Sequence, residues 1–290
     1  MAAADNTSKL KPLYTPALLL VLFWLAGMVW FAAYAKDTVS QPSDDLQKIQ
    51  NYFQQRFPDI PFEEFSNGVY ALDQVARDNW EALEEFPPYE IYIDDGESHW
   101  DDHADIYQQC FSDGPGIKHL YPQWNQDLQT VVTLPLAINL CRKKHGLDQL
   151  DYMKEEMNSL VAYMAYISRG NIIEISVPDN GALGAYTEGK KFYFTRRGQL
   201  NFACYHCHFD NAGKKLRTES LGPALGQTTG WPTYRNKWGS LGPLHKRYIG
   251  CNEQVRAVPF AAQSEAYRNL EYFHTHMNNG LPINGPAVRR

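Results

Sequence analysis

One spacing occurs twice in this chain of 290 residues, and it constrains the fold more than any other feature of the sequence. Cys141 precedes Gly170 by 29 residues, and Cys251 precedes Gly280 by the same 29 residues. Apolar positions between them correspond without a gap: Leu160 to Leu270, Tyr163 to Phe273 and Ile167 to Met277. Self-similarity of this kind is typical of a duplicated structural unit. We therefore predict two copies of one small helical domain in tandem.

Helical periodicity supports this mainly α architecture. Leu150–Arg169 and Gln263–Asn279 each carry an apolar stripe at helical spacing, and a glycine follows each stripe as a stop signal. The domains are predicted over 41–170 and 171–290. Other predictions are a helix over Val69–Phe86, a short strand over Tyr89–Ile93, and loops over Asp94–Asp105 and Pro178–Gly189.

The N-terminal segment predicts export from the cytoplasm. Pro12–Ala35 is uncharged and mostly apolar, and lysines precede it. Ala33-Tyr34-Ala35 is an A-x-A sequence of the kind that ends a cleaved signal peptide. The stretch is also near the ~20 residues that span a bilayer, so an uncleaved anchor over 12–35 is the alternative. Both readings export the remainder of the chain, and we favour cleavage of residues 1–35.

Charge is unevenly distributed along the chain. The net charge of -6 argues against a nucleic-acid binder. Residues 36–150 carry 8 Lys and Arg against 21 Asp and Glu, whereas residues 151–290 carry 17 against 11. The acidic half is interpreted as a solvated face, and the basic half could receive an anion.

The sequence Cys204-Tyr205-His206-Cys207-His208 is a C-x-x-C-H motif, which is the attachment signal for c-type haem. Two thiols at this spacing reach the two vinyl positions of one porphyrin edge, and the following histidine becomes the proximal iron ligand. His206 is expected to point elsewhere. The alternatives are a redox dithiol, or a zinc site completed by His208 and Cys251. Export favours one covalently bound haem c.

The first repeat lacks this motif, because Tyr107 and Phe111 stand where the first thiol and the histidine are expected. We predict a haem-less first domain whose aromatic side chains fill the vacated volume, since an empty cavity is destabilising. Cys110 and Cys141 remain there. Both are expected to face the same interior and to form a disulfide in an oxidising compartment, with two buried free thiols as the alternative.

Cys251 is then the odd cysteine, and it aligns with Cys141. A thiolate is a suitable ligand for haem iron opposite an imidazole, so we propose His208 and Cys251 as the axial pair. The competing sixth ligands are Met277, His274, His276 and His245. Of these, Met277 is expected in the core, and the three histidines are expected at the surface.

The chain resembles the SoxA family, the catalytic cytochrome subunits of the bacterial SoxAX sulfur-oxidation complex. The resemblance covers most of residues 41–290. The matching segments are Cys204–His208, Gly230–Arg235, Gly250–Asn252, Val255–Ala257, Leu281–Ile283 and Pro286–Arg289, with Val132–Leu134 and Ile138–Arg142 in the first repeat. A single C-x-x-C-H motif resembles the single-haem branch, whose first domain carries a disulfide instead of haem.

The resemblance implies two cytochrome c-like domains and a periplasmic L-cysteine S-thiosulfotransferase. Such an enzyme oxidatively joins thiosulfate to a cysteine of a carrier protein and passes two electrons to cytochrome c. It implies Cys251 as the catalytic cysteine persulfide and haem ligand, and Arg247 as the substrate-binding residue. Cys204, Cys207 and His208 would hold the haem. The implied partners are a SoxX-like cytochrome c subunit in a heterodimer and a SoxYZ-like carrier.

A second hypothesis is a periplasmic electron-transfer cytochrome with a His/Cys-ligated haem and no transferase activity. Arg247 beside Cys251 distinguishes the two hypotheses, because a simple electron carrier needs no anion-binding residue there. Arg247 and Lys246 can pair with the sulfonate oxygens of thiosulfate.

Overall fold

Helices predominate in residues 41–289, the part of the chain that the computed structural model describes. The predicted segment 1–35 lies outside the described residues. The α-helices are α1 (Pro42–Arg56), α2 (Gln74–Glu84), α3 (Glu90–Asp101), α4 (Ala104–Cys110), α5 (Leu134–Lys144), α6 (Glu155–Ile167), α7 (Asn180–Phe194), α8 (Leu244–Gln254) and α9 (Glu265–His276). Two 3-10 segments span Phe62–Ala71 and Lys118–Leu120, and one π-helical turn spans His206–Asp210.

The strands are short and form three small sheets. They are β1 (Gln123–Asn125), β2 (Thr130–Val132), β3 (Lys215–Leu216), β4 (Glu219–Ser220), β5 (Thr233–Arg235), β6 (Ser240–Gly242) and β7 (Ala287–Arg289). The pairs β1–β2, β3–β4 and β5–β6 are antiparallel, and β7 pairs with β5 in parallel. Helices therefore form the bulk of the fold, as the sequence predicts.

One succession of elements occurs twice at a constant displacement along the chain. The hairpin β1–β2 followed by α5 and α6 recurs as β5–β6 followed by α8 and α9. Each hairpin turn places one residue in the left-handed region, where Gln129 has φ 49° and Gly239 has φ 62°. The predicted repeat therefore has a counterpart in the order of the elements.

Each half contains a close helix crossing centred on a glycine. A Cβ built on Gly96 of α3 would lie 2.0 Å from the backbone oxygen of Ser159 in α6. A Cβ on Gly189 of α7 would lie 1.9 Å from the backbone oxygen of Asn269 in α9. No side chain fits at that separation, so each glycine allows two helix backbones to touch.

Helix α7 corrects the loop predicted over Pro178–Gly189. The Asp179 side chain accepts a hydrogen bond from the backbone N–H of Ala182 at 2.8 Å and caps the helix. Gly181, Gly184 and Gly189 give the segment the composition of a loop. The buried face of α7 packs on α9, and this burial outweighs the low helix propensity of glycine.

Helix α3 corrects both the strand predicted over Tyr89–Ile93 and the loop predicted over Asp94–Asp105. Its buried residues are Tyr92, Gly96 and Trp100, which recur every four positions on one face. The acidic side chains lie on the other face. The short Tyr-Glu-Ile-Tyr-Ile run alternates like a strand, and only the longer window contains the helical period.

The helix predicted over Val69–Phe86 is two elements. A 3-10 segment ends at Ala71, and α2 begins at Gln74 after the Asp73 side chain accepts a hydrogen bond from Ala76 N–H at 3.0 Å. The apolar stripe continues across this break, which is why the sequence resembles one helix.

Residues 42–71 pack mainly against the second half of the chain. Phe53 and Phe65 are fully buried in a hydrophobic core that also contains Phe273. Gln50 Nε2 donates to the backbone oxygen of Asn279 at 2.9 Å, a contact that spans most of the described chain. The core that surrounds the C-x-x-C-H motif is thus built from both ends of the sequence, while the domain boundaries at 41–170 and 171–290 stay a prediction.

Candidate functional site

The C-x-x-C-H segment follows α7 and enters a single π-helical turn at His206. Cys204 and Cys207 are unpaired thiols at the edge of the core. The imidazole of His206 turns back toward the backbone, and its Nδ1 accepts a hydrogen bond from Ala203 N–H at 2.9 Å. His206 thus differs from His208 in its surroundings, as the motif predicts.

The backbone contact of His208 fits the tautomer that a metal ligand requires, with the proton on Nδ1. Its Nδ1 lies 2.9 Å from the backbone oxygen of Gly222 and donates to it. The amide nitrogen of Gln227 lies 2.6 Å from Nδ1 and 2.9 Å from the other nitrogen, Nε2. With the proton on Nδ1, Nε2 carries the lone pair that a metal ion can take. Burial lowers the pKa of His208 to about 4, so the imidazole is neutral at neutral pH.

Cys251 lies in the last turn of α8, with Arg247 one turn before it on the same side of the helix. Burial raises the pKa of Cys204 to about 12, and a negative charge on Cys251 adds to the effect. Burial also raises the pKa of Cys207, again with a contribution from Cys251, while Arg247 opposes it. The structure therefore brings the predicted residues of the second half within electrostatic reach of one another.

The sequence did not predict a role for Tyr193, a tyrosine that the charges of the three free cysteines affect. Tyr193 of α7 is 1% exposed, and its hydroxyl has no hydrogen-bond partner among the described residues. Burial raises the pKa of Tyr193, and the charges of Cys204, Cys207 and Cys251 raise it further. A buried hydroxyl without a partner is destabilising and indicates a missing neighbour.

The residues of this site fit haem c. Two unpaired thiols at the attachment spacing, a neutral imidazole, a third thiol and an unsatisfied hydroxyl all border the same region. Aromatic side chains surround it, with Tyr193 5.4 Å from His274 and 6.1 Å from Phe209 between ring centroids.

The three histidines predicted at the surface are buried, so that prediction is wrong. His245, His274 and His276 are 2%, 3% and 6% exposed. His274 is paired on both sides, with the Tyr248 hydroxyl 2.8 Å from Nδ1 and the Gln227 Oε1 2.6 Å from Nε2. Its position four residues after Leu270 on the apolar stripe was the signal that could have revealed it. Met277 is fully buried, as predicted.

The first half contains a region that corresponds to this site but lacks the C-x-x-C-H motif. The predicted disulfide between Cys110 and Cys141 is present. Trp100, Tyr107 and Phe111 are buried, and the rings of Trp100 and Tyr107 stack 5.2 Å apart, which confirms that aromatic residues fill this interior.

The disulfide also rules out metal binding at a cluster of potential ligands in this half. Ligand atoms of Cys110, Cys141 and His145 lie within 4.8 Å of one another. Because both sulfurs are bonded to each other, neither is a thiolate that could bind a metal ion.

A family model described as the SoxA/TsdA cytochrome c domain matches residues 95–173. The L-cysteine S-thiosulfotransferase subunit SoxA of Allochromatium vinosum is 54% identical over 258 residues, covering 87% of this chain and 92% of that protein. The same subunit of Chlorobaculum tepidum is 44% identical over 249 residues, covering 85% of this chain and 87% of that protein.

A solved structure is similar as well. The crystal structure of SoxXA from P. pantotrophus superposes with a TM-score of 0.66 at 28% identity, covering 75% of this chain and 84% of that chain. Within residues 41–289, no helix combines the length and the apolarity that crossing a membrane requires.

Proposed function

The chain belongs to the SoxA family of L-cysteine S-thiosulfotransferase subunits, and we propose that it joins thiosulfate to a carrier-protein cysteine at the sulfur of Cys251. The observation that carries this placement is the position of Cys251 on α8. It shares one helix face with Arg247 and lies within electrostatic reach of the C-x-x-C-H thiols.

Arg247 is the proposed anion-binding residue. Thiosulfate is a dianion, and a guanidinium presents two parallel N–H donors to a pair of sulfonate oxygens. The Lys246 ammonium instead lies 4.6 Å from the ring centroid of Trp238, which fixes it as a cation over an aromatic face. The direct contact with the sulfonate is therefore assigned to Arg247, with Lys246 adding to the positive field.

The reaction balances as two steps at Cys251. The Cys251 thiolate and the sulfane sulfur of thiosulfate form a sulfur–sulfur bond, and two electrons leave to the cytochrome acceptor. The carrier thiolate then attacks that sulfane sulfur and breaks its bond to Cys251, so the product is the carrier S-thiosulfonate and the Cys251 thiolate returns. Cys251 thus serves as nucleophile and leaving group in turn.

We infer one haem c, held covalently by Cys204 and Cys207 and ligated by His208 and Cys251. When bound, it supplies one-electron transfer. The hydrogen bond from His208 Nδ1 to Gly222 fixes the ring orientation, and the buried aromatic surroundings limit the access of water. The first half, with its disulfide and packed aromatic residues, is proposed to hold no haem.

We propose two cytochrome c-like domains, over 41–170 and 171–290. The recurrence of hairpin and two helices supports this, as do the glycine crossings at Gly96 and Gly189. Residues 42–71 belong to the first domain by sequence and cover the second in space.

The periplasm is the proposed location, since disulfides form and persist in oxidising compartments and haem c is attached outside the cytoplasm. The proposed partners are a SoxX-like cytochrome c subunit, as in the similar SoxXA structure, and a SoxYZ-like carrier that presents its cysteine to Cys251.

The decisive variant is Cys251→Ala. We expect it to abolish thiosulfate coupling, measured as the thiosulfonate mass added to the carrier cysteine and as reduction of the acceptor cytochrome. Glu253→Ala, an exposed change on the same helix, is the matched control and should retain coupling. Equal coupling rates in Cys251→Ala and the unmodified protein would exclude Cys251 as the reacting sulfur, whereas an unmodified protein that exchanges electrons without any coupling would favour the electron-transfer cytochrome.

A further inference from the structure

The hydroxyl of Tyr193 is a buried polar group that the proposed reaction does not yet use. The residue is 1% exposed in the hydrophobic core that also contains Phe273, and no described residue accepts from or donates to its oxygen. Other fully buried tyrosines of this core are satisfied: Tyr186 donates to Asp45 Oδ2 at 3.1 Å, and Tyr272 donates to the backbone oxygen of Ser176. Tyr193 therefore differs from its neighbours in lacking a partner.

The ring of Tyr193 is fixed by its surroundings. Its centroid lies 5.7 Å from that of Phe273, 5.4 Å from His274 and 6.1 Å from Phe209. The hydroxyl therefore cannot find a partner by moving to solvent. Cys204 of the motif packs against the same core as Tyr193. Among the three free sulfurs, Cys204 has the largest electrostatic effect on the Tyr193 hydroxyl, followed by Cys207 and Cys251.

The first half provides an internal comparison. Tyr193 follows the crossing glycine Gly189 by one helical turn, as Trp100 follows Gly96. Trp100 stacks on Tyr107, the residue that replaces the first thiol of the motif. The position one turn after the glycine thus points at the motif in both halves, and a phenol occupies it in the half that keeps the thiols.

Of the three sulfurs, Cys251 is the acceptor that the chemistry favours. In the proposed function, Cys204 and Cys207 become thioethers, which are weak acceptors. Cys251 keeps a thiolate, to which a hydroxyl donates a charge-assisted hydrogen bond. A phenol is protonated at neutral pH, so Tyr193 carries the proton that it must donate.

We propose that the Tyr193 hydroxyl donates a hydrogen bond to the Cys251 sulfur in the haem-loaded protein and is a positioning residue for the transfer reaction. The inference rests on the proposed ligation by Cys251. A hydrogen bond to a sulfur that ligates the iron would withdraw electron density from that sulfur, which would raise the reduction potential of the iron and orient the sulfur for attack.

The test compares Tyr193→Phe, Tyr186→Phe and Cys251→Ala in the full-length, haem-loaded protein by redox titration and by the sulfur-to-iron charge-transfer absorption. Removing the Tyr193 hydroxyl should change the reduction equilibrium about tenfold, which lowers the reduction potential by roughly 59 mV for one electron. It should also shift the charge-transfer band. Tyr186→Phe removes a hydroxyl two turns earlier on α7 and should leave both readouts at their original values.

Three outcomes would overturn the inference. If the band is present in Cys251→Ala, Cys251 is not the ligand, and the proposed site fails together with the role of Tyr193. If Cys251→Ala removes the band but Tyr193→Phe changes neither readout, only the hydrogen bond is wrong. If Tyr193→Phe moves the potential and leaves the band in place, the hydroxyl contacts a group other than the sulfur, which also contradicts the proposal.

Discussion

Arg247 is the residue whose role is most directly measurable, because in the proposed reaction it binds the anion while no covalent bond to it is made or broken. Arg247→Gln removes a charged, forked donor, and loss of a charge-assisted hydrogen bond costs about 1.5–3 kcal/mol. We expect the KM for thiosulfate to rise about 10- to 100-fold with a smaller change in kcat. Steady-state kinetics over a wide range of thiosulfate concentrations would measure it.

Arg256→Gln is the matched control, since Arg256 is an exposed arginine just beyond the end of α8. Its KM should remain near that of the unmodified protein. An unchanged KM in Arg247→Gln, with a shifted haem potential, would assign Arg247 to tuning the iron instead of binding substrate.

For single residues, the sequence predicts those whose role depends only on neighbouring positions in the chain. The spacing of Cys204, Cys207 and His208 is a property of five consecutive positions, so no tertiary information is needed. The burial of His274 and the isolated hydroxyl of Tyr193 depend on which helix faces cover them. No spacing rule in the sequence reports that.

The two glycine-centred crossings are the elements most sensitive to a single methyl group. Gly189→Ala places a Cβ against the backbone of Asn269, so α7 and α9 must separate. We expect a loss of about 3 kcal/mol or more in the free energy of unfolding, since backbone cannot yield as a side chain can. Urea titration monitored by circular dichroism would measure it.

Gly184→Ala lies on the same helix at an exposed position where an added Cβ meets nothing within 4 Å. This control should gain about 0.5–1 kcal/mol, because alanine favours the helix interior over glycine. Similar losses in both variants would mean that the crossing does not depend on the missing side chain.

The disulfide is the corresponding element of the first half. Replacing Cys110 and Cys141 together with alanine opens a loop of 31-residue separation, and we expect a loss of about 3–4 kcal/mol in the free energy of unfolding. The visible spectrum of the haem should stay unchanged, since no haem is assigned to that half. Thermal unfolding with and without the bond, read beside the spectrum, would separate the two effects.

Elements with strong periodicity were predictable, and those with special glycines were not. The helices α6 and α9 carry long apolar stripes, and the predicted ranges enclose the observed ones. In α7 the glycines serve a crossing that only the partner helix explains, so their composition suggested a loop. Local helix propensity does not indicate that another backbone lies where the Cβ of a larger residue would be.

Stability of the whole molecule should depend on pH through His276, which links α9 to the N-terminal helix α1. Its ring lies 5.1 Å from that of Tyr186, whose hydroxyl donates to Asp45 of α1. Burial lowers the pKa of His276 to about 4, against a partial opposing effect of Asp45. The folded protein therefore takes up this proton less readily than the unfolded chain.

The sign follows from that difference. Above pH 6.5 the group is neutral in both states and contributes nothing further, and between pH 6.5 and about 4 the unfolded chain gains a proton that the folded protein refuses. This group should remove on the order of 3 kcal/mol of stability across that window. His276→Gln should flatten the decline in urea midpoints measured from pH 7 to pH 4, and parallel curves for the two proteins would contradict the assignment.

The return of residues 42–71 to the far end of the chain has a consequence for biosynthesis. Phe53 and Phe65 leave the ribosome long before Phe273, which belongs to the same core, and the Tyr70 hydroxyl donates to the still later carbonyl of Val288. Contacts between such distant positions form slowly, because a long stretch of polypeptide must first be brought together. In an exported chain the half that carries the disulfide can consolidate as soon as its own segment has crossed the membrane, whereas the half that carries the attachment motif acquires its final packing only after the C-terminal residues have followed.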